Sequence, residues 1–260
     1  MGASLALSRG GAGRPLIALH GNFASRAWWC DLVQHPPGGH EVLAPDLPGF
    51  ADSPVSCPPD IGAYADAVEA LVQELGLDMP ALLGHSLGGA VALELASRAP
   101  ERYAALVLAG SCPLSGLKTP EENYPVLELM RHNPALVEAS FSALFPSGRP
   151  ANFAQLVVDA GRMQAEHYSG NPRALERWQV AHLPKLPTLV LGGGLDQLAT
   201  PELVRVQARA LNARCVIFEE CGHGFPQEAP QRFREVLEDF LGTLPLKAEA
   251  AAQPNARLLS

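Results

Sequence analysis

The chain has 260 residues, 47% hydrophobic and 18% charged, enough apolar content for a large core that needs no metal or crosslink to support it. Its formal net charge of −8, from 19 Lys and Arg against 27 Asp and Glu, excludes a nucleic-acid backbone as the expected partner, because such affinity comes from clustered cations. The 24 Gly and 24 Pro fall between hydrophobic blocks without a repeat, and the five Cys lack any CxxC pair, so collagen-like, disordered, disulfide-framework and zinc-site readings all drop out.

From the start of the chain, residues 1–13 carry Arg9 but no apolar stretch of signal-peptide length. No uncharged run reaches the roughly 18 residues of a membrane span. Together with the scattered Cys30, Cys57, Cys112, Cys215 and Cys221 this predicts a cytoplasmic protein with no membrane partner. The first apolar block, residues 16–19, predicts a strand. It is followed by His20-Gly21-Asn22-Phe23, where the glycine permits close backbone approach and the N–H of Asn22, ahead of Phe23, can serve as an anion donor. His20 is assigned a structural hydrogen bond. A second strand is predicted at 42–44, a helix over 60–75 and a third strand at 81–83.

Directly after that strand stands Gly84-His85-Ser86-Leu87-Gly88-Gly89, and a helical pattern follows over 87–99 with Val91, Leu95 and Ala99 at spacing four and Pro100 as its stop. A GxSxG run between strand and helix presents its serine on a strained turn, which the flanking glycines make sterically feasible. Ser86 is therefore the candidate nucleophile. The N–H of Leu87, at the helix start, is the candidate partner of Asn22 in an oxyanion hole.

After a strand at 105–108, residues 113–183 break the rhythm. They hold no convincing strand, only helical stretches punctuated by Pro120, Pro125, Pro134, Pro146, Pro150 and Pro172. This reads as a helical cap inserted between strands. Its apolar side chains Met130, Phe141, Phe145, Met163 and Trp178, with Phe23 from the early loop, are candidates for a substrate pocket. Packing among themselves is the simpler fate of any single one.

A strand at 188–191 then runs into Gly192-Gly193-Gly194-Leu195-Asp196, which places Asp196 at a strand's carboxyl end, where catalytic groups gather in open α/β sheets. A helix is predicted at 202–211 and a strand at 215–218, followed by Cys221-Gly222-His223-Gly224-Phe225. A hydroxyl needs a base, and the base needs an orienting carboxylate. His132, His167 and His182 lie inside the insertion, which leaves His223 as the base. Asp159 also lies in the insertion, while Glu219 and Glu220 read as loop surface, which leaves Asp196 as the acid. A helix over 227–241 closes the pattern, and residues 246–260 read as a flexible C-terminal tail. Strand and helix alternation predicts an α/β domain with a mostly parallel sheet.

On these motifs, with Pro45-Asp46-Leu47-Pro48-Gly49-Phe50 beside them, the chain resembles the α/β-hydrolase superfamily over residues 14–244, in particular small serine esterase-like members with a helical lid. The resemblance implies an eight-stranded sheet and the triad Ser86, Asp196 and His223. The expected division is a hydrolase core of residues 1–112 and 184–245 with a cap of residues 113–183. Two departures stand out: Gly49-Phe50-Ala51-Asp52-Ser53 replaces the commoner Gly-x-Gly-x-Ser, and Asn22-Phe23-Ala24-Ser25 is less glycine-rich than in relatives that cleave carbon–carbon bonds. A serine nucleophile speaks against haloalkane and epoxide cleavage. The expected activity is hydrolysis of an ester, thioester or lactone of a moderately apolar small molecule, with neither cofactor nor metal implied. A ligand receptor with a retained site, or a carbon–carbon bond hydrolase, acyltransferase or perhydrolase, are the competing expectations.

Overall fold

The computed structural model describes residues 5–245. Its strands are β1 (Leu7–Gly11), β2 (Arg14–Leu19), β3 (His40–Pro45), β4 (Ala81–His85), β5 (Leu106–Ala109), β6 (Thr188–Gly193) and β7 (Arg214–Phe218). They form one seven-stranded sheet in the order β1-β3-β2-β4-β5-β6-β7. All neighbours from β3 to β7 pair in parallel, and β1 alone runs antiparallel, Leu7 opposite Pro45. The expected eighth strand is absent among the described residues. Among those residues β1 alone forms the antiparallel edge, joined to β2 by a turn at Gly13.

Continuous apolar runs suit strands covered on both faces, and Leu16, Ile17, Leu82, Leu83, Val107, Leu108, Val190 and Leu191 are all fully buried. The cover comes from α1 (Cys30–Gln34) and α10 (Pro230–Gly242) together with α2 (Ile61–Glu74), α3 (Leu87–Arg98) and α8 (Pro201–Ala210). Capping follows the sequence: Asp60 accepts from the Ala63 N–H at 3.0 Å, and Pro100 lies just past the end of α3. The helix expected over 227–241 is instead split into α9 (Phe225–Glu228) and α10, because Pro230 starts a new helix at its first turn.

Between β5 and β6 the chain forms α4 (Tyr124–Met130), α5 (Pro134–Ser142), α6 (Phe153–Ala160) and α7 (His167–Arg177). Pro125 and Pro134 occupy first turns, where a missing N–H costs nothing. Pro172 differs from expectation, lying inside α7 rather than between helices. This segment is tied to the sheet-bearing part by two buried polar links and an exposed ion pair. The Ser25 hydroxyl donates to Asp159 at 2.6 Å, His167 Nε2 meets the Pro48 carbonyl at 3.0 Å, and Arg162 pairs with Asp52. No helix among the described residues is long and apolar enough to cross a membrane. The expected tail at 246–260 lies outside the described residues.

The winding sets the place of the site. From β2 the chain steps to β3 on one side, then returns past β2 to β4 and continues on the other side. The carboxyl ends of β2 and β4 therefore flank the point where the winding reverses, which opens a crevice there. Gly21 and Asn22 follow β2, and Ser86 follows β4.

Candidate active site

Ser86 joins β4 to α3 with φ 52° and ψ −117°, a left-handed conformation that an L side chain adopts only under constraint. The constraint is close backbone packing. A Cβ on Gly84 would lie 2.2 Å from the Gly88 carbonyl oxygen, and one on Gly88 would lie 2.5 Å from the carbonyl oxygens of Leu19 and His20. Neither position accepts a side chain without displacing backbone. The turn is further held by the Ser86 N–H donating to Ala109 at 3.1 Å and by the Ser86 carbonyl accepting from Gly89 at 2.9 Å. Its side chain remains half-buried while both neighbours are fully enclosed.

Asp196 and His223 meet across the ends of β6 and β7. His223 Nδ1 is 2.7 Å from Asp196 Oδ2, with both residues buried. The other carboxylate oxygen, Oδ1, accepts from the N–H groups of Leu198 at 2.7 Å and Ala199 at 3.0 Å. Three donors thus satisfy Asp196 and fix its orientation, and the imidazole it holds has Nε2 left over. The contact between Asp196 and His223 sits under Gly110, where an added Cβ would come within 3.4 Å of the imidazole and 3.5 Å of the carboxylate. Among the described residues no hydrogen bond joins Ser86 Oγ to His223, a separation common before substrate arrives.

Two backbone donors stand unpaired beside the serine. Leu87 is the first residue of α3, so its N–H has no partner within the helix, and neither it nor the Asn22 N–H donates to any described residue. Asn22 is held close by its neighbour: a Cβ on Gly21 would come within 3.0 Å of Ser86 Cβ. His20 makes the structural hydrogen bonds expected of it. Its Nε2 accepts from the Leu47 N–H at 3.0 Å, which leaves the proton on Nδ1 to donate to the Gly21 carbonyl at 2.8 Å. Burial pushes the His20 pKa down against the pull of the Asp46 carboxylate, which keeps the ring in this neutral form.

His85 has a role that its place in the sequence alone does not reveal. This ring is fully buried, stacked on Trp28 with centroids 4.4 Å apart, and its Nε2 donates to the carbonyl of His223 at 2.9 Å. Burial and the nearby His223 ring push its pKa well down, so it serves as a neutral strut between the serine turn and the histidine loop. A histidine inside the GxSxG run was the available signal. The loop is gripped on its other side as well. Gly224 donates to the Leu144 carbonyl at 2.8 Å, and side chains on Gly222 or Gly224 would collide with Pro146 or the Phe145 ring.

Of the apolar residues expected to face substrate, Met130, Phe141, Phe145 and Met163 are buried and Phe23 is half-buried. Phe145 packs against Trp28 and Phe153, and Phe23 meets the Tyr168 ring edge-on. Trp178 is set apart: its indole N–H donates to Glu94 on α3 at 2.9 Å, which anchors it on the core helix. His132, His182, Glu219 and Glu220 are exposed, while His167 is buried against Pro48. Among the described residues no group of His, Cys, Asp and Glu side chains is arranged to hold a metal ion. A separate cavity of about 730 Å³ lies at the amino ends of the strands, lined by Arg14, His40, Glu41 and Met79 among others. Ser86 is at the opposite edge of the sheet.

A family model described as "Alpha/beta hydrolase family" matches residues 16–236. A pimeloyl-[acyl-carrier protein] methyl ester esterase from Neisseria meningitidis is 30% identical over 256 residues, covering 88% of this chain and 93% of that protein. A 2-hydroxymuconate semialdehyde hydrolase from Pseudomonas sp. strain CF600 is 29% identical over 267 residues, covering 93% of this chain and 90% of that protein. Among solved structures, an esterase from Exiguobacterium antarcticum superposes with a TM-score of 0.81 at 23% identity, covering 94% of this chain and all of that one, a likeness of fold.

Proposed function

The chain belongs to the alpha/beta hydrolase family, and from that premise we propose that it is a cofactor-independent carboxylic ester hydrolase working through an acyl-enzyme. What carries the reading is one juxtaposition: a serine on a strained, half-exposed turn, two unpaired backbone N–H groups beside it, and a histidine whose far nitrogen is committed to a saturated carboxylate. The relatives named as esterases support ester chemistry.

Each group then has a step. Ser86 Oγ attacks the ester carbonyl while His223 Nε2 takes its proton, and the hydrogen bond to Asp196 steadies the resulting imidazolium. The carbonyl oxygen, now an anion, is bound by the N–H groups of Leu87 and Asn22, each such donor being worth a factor of roughly 10² to 10³ in rate. Collapse of the tetrahedral intermediate returns the proton from His223 to the departing alcohol. Water, deprotonated by the same imidazole, attacks the acyl-enzyme, and a second collapse frees the acid and restores Ser86 Oγ–H.

In this reading residues 1–112 and 184–245 act as the catalytic core and residues 113–183 as a cap over the crevice. Phe23, Met130, Phe141, Phe145 and Met163 are the side chains from which an apolar acyl site would be built, and their burial suits a small acyl group over a lipid chain. Multiple-turnover hydrolysis of p-nitrophenyl acetate and butyrate tests the activity. A fluorophosphonate adduct located by mass spectrometry tests the nucleophile. Absence of turnover, an adduct elsewhere than Ser86, or more than a tenth of the activity remaining in Ser86→Ala would overturn the proposal.

A further inference from the structure

One buried amide connects the helical segment to the loop after β2. Asn171, on α7, is fully buried, and its Nδ2 donates to Asn22 Oδ1 at 2.8 Å. Its Oδ1 accepts from the hydroxyl of Tyr64 at 2.7 Å, and Tyr64, on α2, is itself fully buried. Burial pushes the Tyr64 phenol pKa up, so it stays a donor. The three side chains form a chain of donors running Tyr64 to Asn171 to Asn22, out of the core, through α7 and into the loop whose N–H faces no protein acceptor.

The Asn22 N–H belongs to the peptide plane between Gly21 and Asn22. On its amino side that plane is preceded by a glycine, which alone restrains little. One peptide unit further along, Phe23 is held at φ 58°, a strained value that persists only under outside constraint. The constraints visible here are the Asn22 side chain, clamped by Asn171, and the Phe23 ring against Tyr168 of the same helix.

We propose that Asn171 is a positioning residue for the oxyanion site, holding the Asn22 side chain so that the peptide N–H stays aimed at the anion, with Tyr64 as its support. The inference rests on Ser86 as nucleophile and Asn22 as donor. It makes α7 a structural part of transition-state binding in addition to a cover over the site.

Asn171→Asp retains shape and an acceptor for Tyr64 but turns a carboxylate oxygen towards Asn22 Oδ1, and Asn171→Leu removes both bonds at similar volume. Each should lower kcat for p-nitrophenyl acetate by roughly tenfold to a hundredfold, below the full value of an oxyanion donor because the N–H is misaimed and not deleted. KM should change little. The inhibition constant of an alkylboronic acid, whose tetrahedral adduct on serine places an oxygen at the anion position, should rise by the same factor as kcat/KM falls. Tyr64→Phe, which keeps the ring, should show the same parallel at roughly threefold to tenfold, and it serves if the Asn171 variants do not fold.

A merely structural amide would lower the melting temperature without this parallel. The inference is overturned if the variants turn over at the wild-type kcat, or if kcat/KM falls while boronate inhibition is unchanged. Ser86→Ala run alongside separates the failures: an inactive Ser86→Ala with normal Asn171 variants removes this inference alone, whereas an active Ser86→Ala removes the nucleophile reading and this inference with it.

Discussion

Replacing Ser86 by glycine should stabilise the protein while abolishing its activity, and comparison with alanine isolates the reason. At φ 52° and ψ −117° the sign-inverted pair is −52° and 117°, an ordinary conformation for any residue, so the observed one is open to glycine and strained for everything with a Cβ. Such strain costs about 1–3 kcal/mol. Glycine forfeits about 0.5–1 kcal/mol of that through the extra freedom of its unfolded chain. The Ser86 hydroxyl makes no hydrogen bond to a described residue, so its removal leaves no partner stranded. Ser86→Ala keeps the Cβ and the strain and should sit near the wild type. Ser86→Gly should therefore exceed Ser86→Ala by about 0.5–2 kcal/mol, which for a chain of this size is a rise in Tm of roughly 1–4 °C. Urea and thermal unfolding of the two inactive variants provide the measurement. If Ser86→Gly proves no more stable than Ser86→Ala, the turn is not strained as argued, and the energetic account of how the serine is presented fails.

Asp196→Asn retains an oxygen for the Leu198 and Ala199 N–H groups but offers an NH₂ group to His223 Nδ1, so the wrong tautomer is favoured and kcat should fall by about 10³–10⁴; retention of more than a tenth in a p-nitrophenyl ester assay would contradict this. Gly224→Ala drives a methyl into the Phe145 ring, at 2.2 Å before relaxation, and should lower kcat by displacing the His223 loop; an unchanged kcat would show that the loop tolerates the shift. Specificity constants for p-nitrophenyl esters should rise over the first few carbons, by close to fourfold per buried methylene from about 0.8 kcal/mol each, and then fall steeply. A flat profile unmoved by alanine at Phe23, Met130, Phe141, Phe145 and Met163 would show those side chains to be packing alone. Stability should also depend on pH. His20, His85 and His167 are buried with lowered pKa values, so below about 6.5 the unfolded chain binds protons that the folded chain refuses. Their contribution is complete above that pH and is lost as the pH falls towards the folded values, so the urea midpoint should drop between pH 7.5 and 5.5, and a constant midpoint would count against neutral buried rings.

The parts of the site legible in the sequence are those built from contiguous residues. A strand, a glycine-flanked serine and a helix lie together in residues 81–98, and Asp196 and His223 each lie shortly after the end of a strand, so order along the chain was enough to name them as candidates. What escaped depends on partners far away in sequence. His85 is 138 residues from the carbonyl it holds, Asn171 is 149 residues from Asn22, and nothing near either residue announces the contact. The Trp178 indole was equally ambiguous, since an aromatic ring does not reveal which surface it will meet, and Glu94 is the answer only in three dimensions. Strand β1, with the sequence LSRGG, has no apolar run because an antiparallel edge is not covered on both faces, so a pattern search tuned to buried parallel strands passes over it.

The contact of Leu144, Phe145 and Pro146 with Gly222 and Gly224 bears on how this chain can change by descent or by recombination in the laboratory. A crossover that brings in residues 113–183 from another member would carry the 144–146 stretch away from the glycines it was shaped against, where even a Cβ added to Gly222 would lie 2.4 Å from Pro146. Substitutions at these two places, 78 positions apart between Leu144 and Gly222 (222 less 144), should be epistatic, each tolerated or harmful according to the other. Libraries that diversify 144–146 together with 222–224 should yield more active clones than libraries that treat the helical segment as an interchangeable module. New substrate range in this scaffold would then arrive by paired change, with the histidine loop and its neighbour inherited as one block.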